Sequence, residues 1–553
     1  MVNVLQLVLS LLPLSGFWDR PQSTLNVLHD AFVHDSVEPP PTEPTKSIAI
    51  VGAGSAGLGV LKAILDLPES IREDWEVVLY EQRRAVGGVW LPDPPGYHVE
   101  PPEVPETPLY PRLHTNTPHP TMTYPHFPFP PGTPLYPDWE AVLNYHVDFA
   151  AHYNLTPHIN LNHTVVFAKW HAHDGTGDWH VEVHAQHGED EDEVVIRRTF
   201  DHLIVANGHN HYPHYPTWDG TKGWLANSQQ GKPARQILHS VYYREPEKFA
   251  NLSVIVVGSG ASGRDMAQQI EPLARVVYQS IRETKETAPD TTVTPKPPIA
   301  YLTNYSVIFE DGTELFDIDA ILLGTGYEFR IPFLSSPQSS VLLTDPATSF
   351  NSSTAQTLTT NLRYIFPLYQ HIFSLAPTVP PTALTFIGLP VLIANCPSDF
   401  AQGQIVAHAL ANASLLPSHD EMLNDLISRE RSVSARGYDP YYEGHRLVDG
   451  DTEAQDYQDS LVDYLKKNGA IPDDGRKYVE PWRRASRSQA PLLLRAWKRA
   501  GKLGEQERWL AGIETEDEWA DLMARLAEWQ REWENTHPAL VASTYSSPEW
   551  LYE

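Results

Sequence analysis

The sequence predicts an α/β fold with two similar halves and a helical C-terminal end. Three observations predict it. Ser47-Ile48-Ala49-Ile50-Val51 runs into Gly52-Ala53-Gly54-Ser55-Ala56-Gly57 and then into the apolar, helix-compatible Leu58 to Leu67. Leu252 to Val257 runs into Gly258-Ser259-Gly260-Ala261-Ser262-Gly263 and a second helix-compatible stretch, Arg264 to Ile270. Beyond the capping box Thr515 to Glu518, Trp519, Leu522, Met523, Leu526, Trp529 and Trp533 form one apolar stripe at helical spacing.

In each Gly-x-Gly-x-x-Gly the first glycine permits a tight turn and the second lets a pyrophosphate approach the backbone. The third lets the helix pack on its strand, with its N-terminus toward the phosphates. A strand before and a helix after supply the context the motif needs. The expectation is therefore two Rossmann-like dinucleotide-binding domains, the second inserted in the first, plus a helical C-terminal extension. Residues 1–44 form an apolar segment and Pro-rich linker. Residues 45–215 and 321–470 are the two parts of the first domain, 216–320 the second domain, and 471–553 the extension.

The second strand of each half tells the two apart. The strand Trp75 to Tyr80 ends in Glu81, 24 residues beyond Gly57, where a carboxylate accepts the ribose hydroxyls of an adenine dinucleotide. The strand Arg275 to Ser280 ends without an acid, in Ser280-Ile281-Arg282. A hydroxyl and a guanidinium suit a 2′-phosphate that an acid would repel. This assigns FAD to the first half and NADPH, rather than NADH, to the second.

Between and beyond the fingerprints the other elements come in order. Gly87-Gly88-Val89-Trp90 precedes a proline-rich passage to Pro137, which contains the turn-forming Leu113-His114-Thr115-Asn116-Thr117-Pro118. Asp138 to Tyr153 reads as a helix, with Val142, Tyr145, Phe149 and Tyr153 on one face. Val165 to Lys169 and Trp179 to His184 read as paired strands, Glu189 to Glu193 as a solvated acidic loop, and Phe200 to Gly208 as a buried strand ending at glycine. Asp311-Gly312-Thr313 is a hairpin turn, and Asp317 to Leu323 a strand running into Gly324-Thr325-Gly326. Ser335 to Thr360 reads as a surface loop, Leu384 to Leu389 as a buried strand, and Phe400 to Leu410 as a helix. The tryptophan-rich stripe reads as packing surface, covering a domain edge.

Composition narrows the partners. A formal charge of −30 argues against nucleic acid and anionic membranes. A single cysteine, Cys396, excludes a disulfide framework, a cysteine zinc site and dithiol redox chemistry. His209, His211 and His214 lie close together but read as a loop after a strand, so no metal is expected. Val4 to Leu14 is too short to span a bilayer and fits a signal-peptide core, though no basic residues precede it. Six Asn-x-Ser/Thr sequons, at Asn154, Asn162, Asn251, Asn304, Asn351 and Asn412, favour a secretory route and glycosylation. An enzyme supplied with NADPH favours the cytoplasm, and the sequence leaves both open.

From about Lys46 to about Leu465 the chain resembles the flavin-containing monooxygenase family, single-chain flavoproteins that bind FAD and NADPH. The likeness rests on the first fingerprint, Glu81, GGVW from Gly87, LHTNTP from Leu113, LIVANGH from Leu203, HSVYYR from His239, the second fingerprint and LLGTGYEFRIPFL from Leu322. The helices after about Gly469 resemble an extension of fungal-type members. One departure stands out: the family's Phe-x-Gly before the motif histidine is missing, Gly231 lying too far upstream of His239, while Tyr243 keeps the aromatic spacing. Tyr243-Arg244 also departs from the Trp with Pro or Asp of Baeyer–Villiger relatives.

The resemblance implies that Gly52 to Gly57 hold the FAD pyrophosphate and Glu81 its ribose, with Val89, Trp90, Asn116 and Thr117 around the flavin. It places Thr115, Asn116, Ser262, Gly263, Arg264 and Asp265 at NADP, with Asn116 nearest the chemistry. The implied reaction reduces FAD with NADPH, forms a C4a-hydroperoxyflavin with O₂, and oxygenates a small apolar substrate. The fungal-type likeness alone points that substrate toward secondary metabolism. A flavin oxidase or reductase, a Baeyer–Villiger enzyme and a non-catalytic nucleotide-binding protein remain alternatives.

Overall fold

The computed structural model describes residues 44–538, except 98, 174–175, 187–192, 228–232, 283–291 and 347–350. The chain divides into Met1–Thr45, almost wholly outside the described residues, and Lys46–Glu553, which carries the sheets described below. The apolar N-terminal segment, most of the acidic Glu189 to Glu193 run and Gly231 also lie outside them.

The first sheet is built around β1 (Lys46–Val51), whose inner residues are buried on both faces as a parallel central strand demands. The run turns at Gly52 into α1 (Ser55–Leu65) and returns as β2 (Trp75–Glu81), parallel to β1 with Val51 opposite Tyr80. A helix, α2 (Trp139–His152), is capped by Asp138, whose carboxylate accepts from the Ala141 N–H. The short β3 (Ile159–Leu161) then joins the edge beside β2. An antiparallel three-stranded sheet comes next: β4 (His163–His173), β5 (Thr176–Ala185) and β6 (Val194–Phe200). The sequence pairs only two of these. β6 alternates exposed and half-buried residues, a pattern easily read as loop.

After β7 (His202–Val205), which pairs with β1, the chain leaves the first sheet. It builds a second from β8 (Gln236–His239), β9 (Ser253–Val257), β10 (Val276–Ser280), β11 (Thr294–Lys296) and β12 (Ala320–Leu323). These strands are all parallel, in the order β11-β10-β9-β12-β8, and α3 (Ala261–Ile270) comes directly after β9. The chain then comes back, and β13 (Leu384–Phe386) pairs with β7. The first sheet is thus completed by strands on either side of the second in sequence, the inserted arrangement the two fingerprints predict.

Two expectations change. Ser335 to Thr360 is not wholly a surface loop: Leu342–Thr344 and Leu358–Thr360 pair as strands, and the latter is buried. Its Ser/Thr content masks this because Thr is β-branched and its hydroxyl is satisfied by backbone carbonyls, as at Thr360 on Phe329. α4 (Asn395–Ala411) starts before Phe400 and is buried nearly all round. It crosses α1 at Gly59 and Gly403, where a Cβ on Gly403 would stand 2.8 Å from Val60 Cα. Beyond it come α5 (Pro481–Ser488), α6 (Ala490–Leu503) and the capped α7 (Glu516–Thr536). Trp519, Leu522, Met523 and Leu526 are buried against α6 and against Leu135 and Tyr136. No helix among the described residues is long and apolar enough to cross a membrane.

Candidate active site

A cleft of about 2030 Å³ runs between the two glycine turns. It is large enough for two dinucleotides, since drug-sized sites occupy about 300–1,000 Å³. The turns are built alike. Gly52 and Gly258 both have φ +103, and a Cβ on either would lie 2.5 Å from a carbonyl oxygen, of Ala206 and Gly324 respectively. A Cβ on Gly57 would fall 1.8 Å from Gly52 O, and one on Gly263 2.3 Å from Gly258 O. The third glycine of each turn therefore exists to let helix meet strand.

Both helices start in the cleft without a side-chain cap, α1 after Gly54 and α3 after Gly260. Ser55 and Ala56, and Ala261 and Ser262, line it. First-turn N–H groups left without side-chain acceptors are donors for phosphate. Among the predicted fingerprint residues, Gly52, Gly54, Ser55, Ala56, Ser262, Arg264 and Asp265 line the cleft, while Ala53, Gly57, Gly258, Gly260 and Gly263 form the turns behind it.

Glu81 lines the cleft at the end of β2 and is buried. Its Oε2 accepts from the Ala53 N–H (2.7 Å) and its Oε1 from the Arg83 N–H (2.9 Å). Burial raises its pKa, and these two donors oppose the shift. The carboxylate is thus fixed against the turn with lone pairs left over, which fits a ribose.

At the other strand end the predicted pair separates. Ser280 is buried and donates to Pro297 O (3.0 Å), outside the cleft lining. Arg282 is exposed, donates to the Tyr442 hydroxyl and stacks on its ring, also outside the lining, where Gln279 and Ile281 stand. The hydroxyl is committed to the backbone; the guanidinium keeps donors to offer.

Val89, Trp90, Thr115, Asn116 and Thr117 all line the cleft. Thr115 is buried, its N–H donating to Pro137 O (2.9 Å) and its hydroxyl to Thr117 O (2.9 Å). This staples the turn and leaves Asn116 exposed at its tip, with no hydrogen bond from its carboxamide to protein among the described residues. Asp265 accepts from the Tyr110 hydroxyl and from Gln269 (2.9 Å).

Three residues escaped sequence reasoning. Arg83, buried, donates to Gly88 O (2.9 Å), Leu91 O (2.8 Å) and Pro92 O (2.8 Å) and pairs with Glu106 (2.9 Å), so it shapes the Gly87 to Trp90 turn. Its place two residues past Glu81 is the only local signal. Asp399, on α4, lines the cleft and accepts from Ser55 Oγ (2.7 Å), with its pKa pushed up to about 7 by burial. Nothing in the sequence joins it to Ser55. Tyr124 donates to Ser55 O (2.6 Å), tying the proline-rich passage to the same turn. His239, by contrast, is a staple. Its Nε2–H donates to Gly326 O (3.0 Å), its Nδ1 accepts from the Val241 N–H (3.1 Å), and burial lowers its pKa to about 4.

The donors and cradle fit FAD at the first turn: uncapped N–H groups for phosphates, a fixed carboxylate for ribose, and Asp399 for a hydroxyl. Known proteins point the same way. A profile described as flavin-binding monooxygenase-like matches residues 45–287 and 290–443. The Arabidopsis thaliana protein named flavin-containing monooxygenase FMO GS-OX-like 2 is 31% identical over 433 residues, 72% of this chain and 82% of its own. Arabidopsis FMO GS-OX5 is 30% identical over 458 residues, covering 78% of this chain and 87% of its own. Among solved structures, S-allyl-L-cysteine S-oxygenase from Allium sativum has a TM-score of 0.64 at 25% identity, over 88% of this chain and 99% of that one. Tmm from Pelagibacter sp. strain HTCC7211 shares the fold, with a TM-score of 0.60 at 20% identity, over 81% of this chain and 90% of that one. The chain belongs to the flavin-binding monooxygenase-like family and is an FAD-using oxidoreductase.

Proposed function

We propose that this enzyme uses NADPH and O₂ to oxygenate a soft heteroatom, above all a thioether sulfur, of a small apolar substrate. One observation carries the reading: Asn116 stands at the tip of a stapled turn in a cleft that both glycine turns share. Bound FAD would supply the redox chemistry, the oxidation of NADPH and the activation of O₂. The chain's own part is to hold the two cofactors face to face. The Asn116 carboxamide offers a donor and an acceptor at the point where a nicotinamide and a flavin edge would meet. Glu81 and Asp399 would hold cofactor hydroxyls, and the α1 and α3 N-termini would hold phosphates.

NADPH is preferred over NADH in this reading because Arg282 is cationic and the strand end carries no acid. The likeness to the S-oxygenase from Allium sativum supports sulfur as the target. Turnover tests the proposal with methyl p-tolyl sulfide as the probe. NADPH consumption matched by sulfoxide, a preference for NADPH over NADH, and loss of that preference in Arg282→Ala are expected. NADPH consumption matched wholly by hydrogen peroxide would support an oxidase instead.

A further inference from the structure

The family match ends at residue 443, yet the helices after it reach the cleft. Leu494, Trp497 and Lys498 of α6 line it, and Trp497 packs on Leu135 and Tyr136. That strip of backbone runs alongside the Asn116 turn: Leu135 O accepts from the His119 N–H (2.9 Å) and Pro137 O from the Thr115 N–H. From behind, the Trp519 ring of α7 meets the buried His119 ring edge-on, centroids 4.6 Å apart.

The closest tie is Arg483 on α5. Its side chain is buried, unusual for a cation unless it is fully engaged. One terminal nitrogen donates to Pro120 O and to Thr123 Oγ1 (3.1 Å). The other pairs with Glu516 (2.9 Å), and its Nε with Glu480 (2.8 Å). Every nitrogen of the fork is therefore engaged with one of two targets: the segment just beyond Asn116, or two carboxylates of the extension itself. A guanidinium held by its own helices and aimed at a foreign loop is a clamp. Its other end is anchored too, since Tyr124, one residue past Thr123, is bonded to Ser55 O in the first glycine turn.

We infer that the C-terminal extension is part of the active site, and that Arg483 is a positioning residue that fixes the Asn116 turn from beyond the residues the family profile matches. The inference rests on the role proposed for Asn116. Holding that turn still matters because an amide serving two cofactors has little tolerance: a displacement of about 1 Å is enough to cost rate.

The test uses the full-length, FAD-loaded protein in four variants. Arg483→Met should speed amide exchange in peptides covering residues 113–124 by about tenfold or more, with the β1 and β9 amides unchanged. It should also raise the fraction of NADPH electrons released as peroxide by about threefold or more, with KM for NADPH held within about twofold. Arg483→Lys, which keeps the charge and an ammonium donor but not the planar fork, should bring both readouts most of the way back to the wild-type values. Should Arg483→Met fail to fold, Thr123→Val removes one acceptor and no charge, and the same two readouts should move in the same direction by less. Unchanged exchange and unchanged peroxide in a folded variant would overturn the inference. Asn116→Ala separates the two failures. If it raises the peroxide fraction and Arg483→Met does not, the clamp alone is wrong; if neither does, the role of Asn116 falls first.

Discussion

Asn116 is placed by neighbours that bond its backbone strip and leave its side chain to the cleft. The Asn116→Ala variant should therefore fold and keep FAD, because no hydrogen bond of the carboxamide to protein among the described residues is lost. It should lower product formation by about 5- to 30-fold, the cost of one missing hydrogen bond worth about 1–2 kcal/mol at the reacting stage. The lost product should reappear as peroxide, which a peroxidase-coupled assay reads. Glu81 and Ser280 show how differently residues at equivalent strand ends behave. The place of Glu81 in the cleft was legible from the strand end 24 residues past Gly57, and its two backbone donors lie in the motif itself, at Ala53, and two residues on, at Arg83. Ser280 was not, since the carbonyl that takes its hydroxyl belongs to Pro297, on a segment the strand-end pattern does not include.

At the scale of elements, local chemistry reads well and distant contact reads poorly. Each glycine turn and its flanking strand and helix arise from one short run, Lys46 to Leu65 or Ser253 to Ile270, and the caps at Asp138 and Thr515 are equally local. The α1–α4 crossing is not, because Gly59 and Gly403 come from opposite ends of the domain. That crossing sets Asp399 beside Ser55, so it shapes the cleft as well as the core. Gly403→Ala should push the helices apart, since its Cβ would also lie 3.1 Å from Gly59 O and 3.2 Å from Ala63 Cβ. The expected cost is about 1–3 kcal/mol by denaturant unfolding, with a lower flavin content in the purified protein. The extension teaches the same lesson. Its apolar stripe was legible as packing surface, but Arg483 and Pro120 are 363 residues apart, and only the fold reveals that they meet.

Over the whole molecule, buried titratable groups pull stability in opposite directions. His239 and His209 titrate at about 4 and His119 at about 3, lowered by burial. Their unfolded forms bind protons first, so the stability they contribute is present above about pH 6.5 and lost as pH falls toward 4. Asp399 has the reverse sign. With its pKa raised from 3.8 to about 7, the folded state holds the proton longer, and stability is lost as pH rises between those values. Asp399→Asn should therefore stabilise the flavin-free protein at pH 8 by on the order of 4 kcal/mol relative to its effect at pH 4, by urea unfolding at the two pH values. An equal effect at both would show that Asp399 is ionised in the fold.

The charge of −30 makes the same molecule a poor host for anions except where the uncapped helix starts and the arginines of the cleft offset it. On the proposed reading two phosphate-bearing cofactors share this cleft, and the purpose of bringing them together is oxygen transfer. Turnover with NADPH and methyl p-tolyl sulfide under ¹⁸O₂, with mass measurement of the sulfoxide, tests that most directly. One ¹⁸O atom per sulfoxide, in water of natural isotopic composition, is the predicted result. NADPH consumed with no label in any organic product would contradict it.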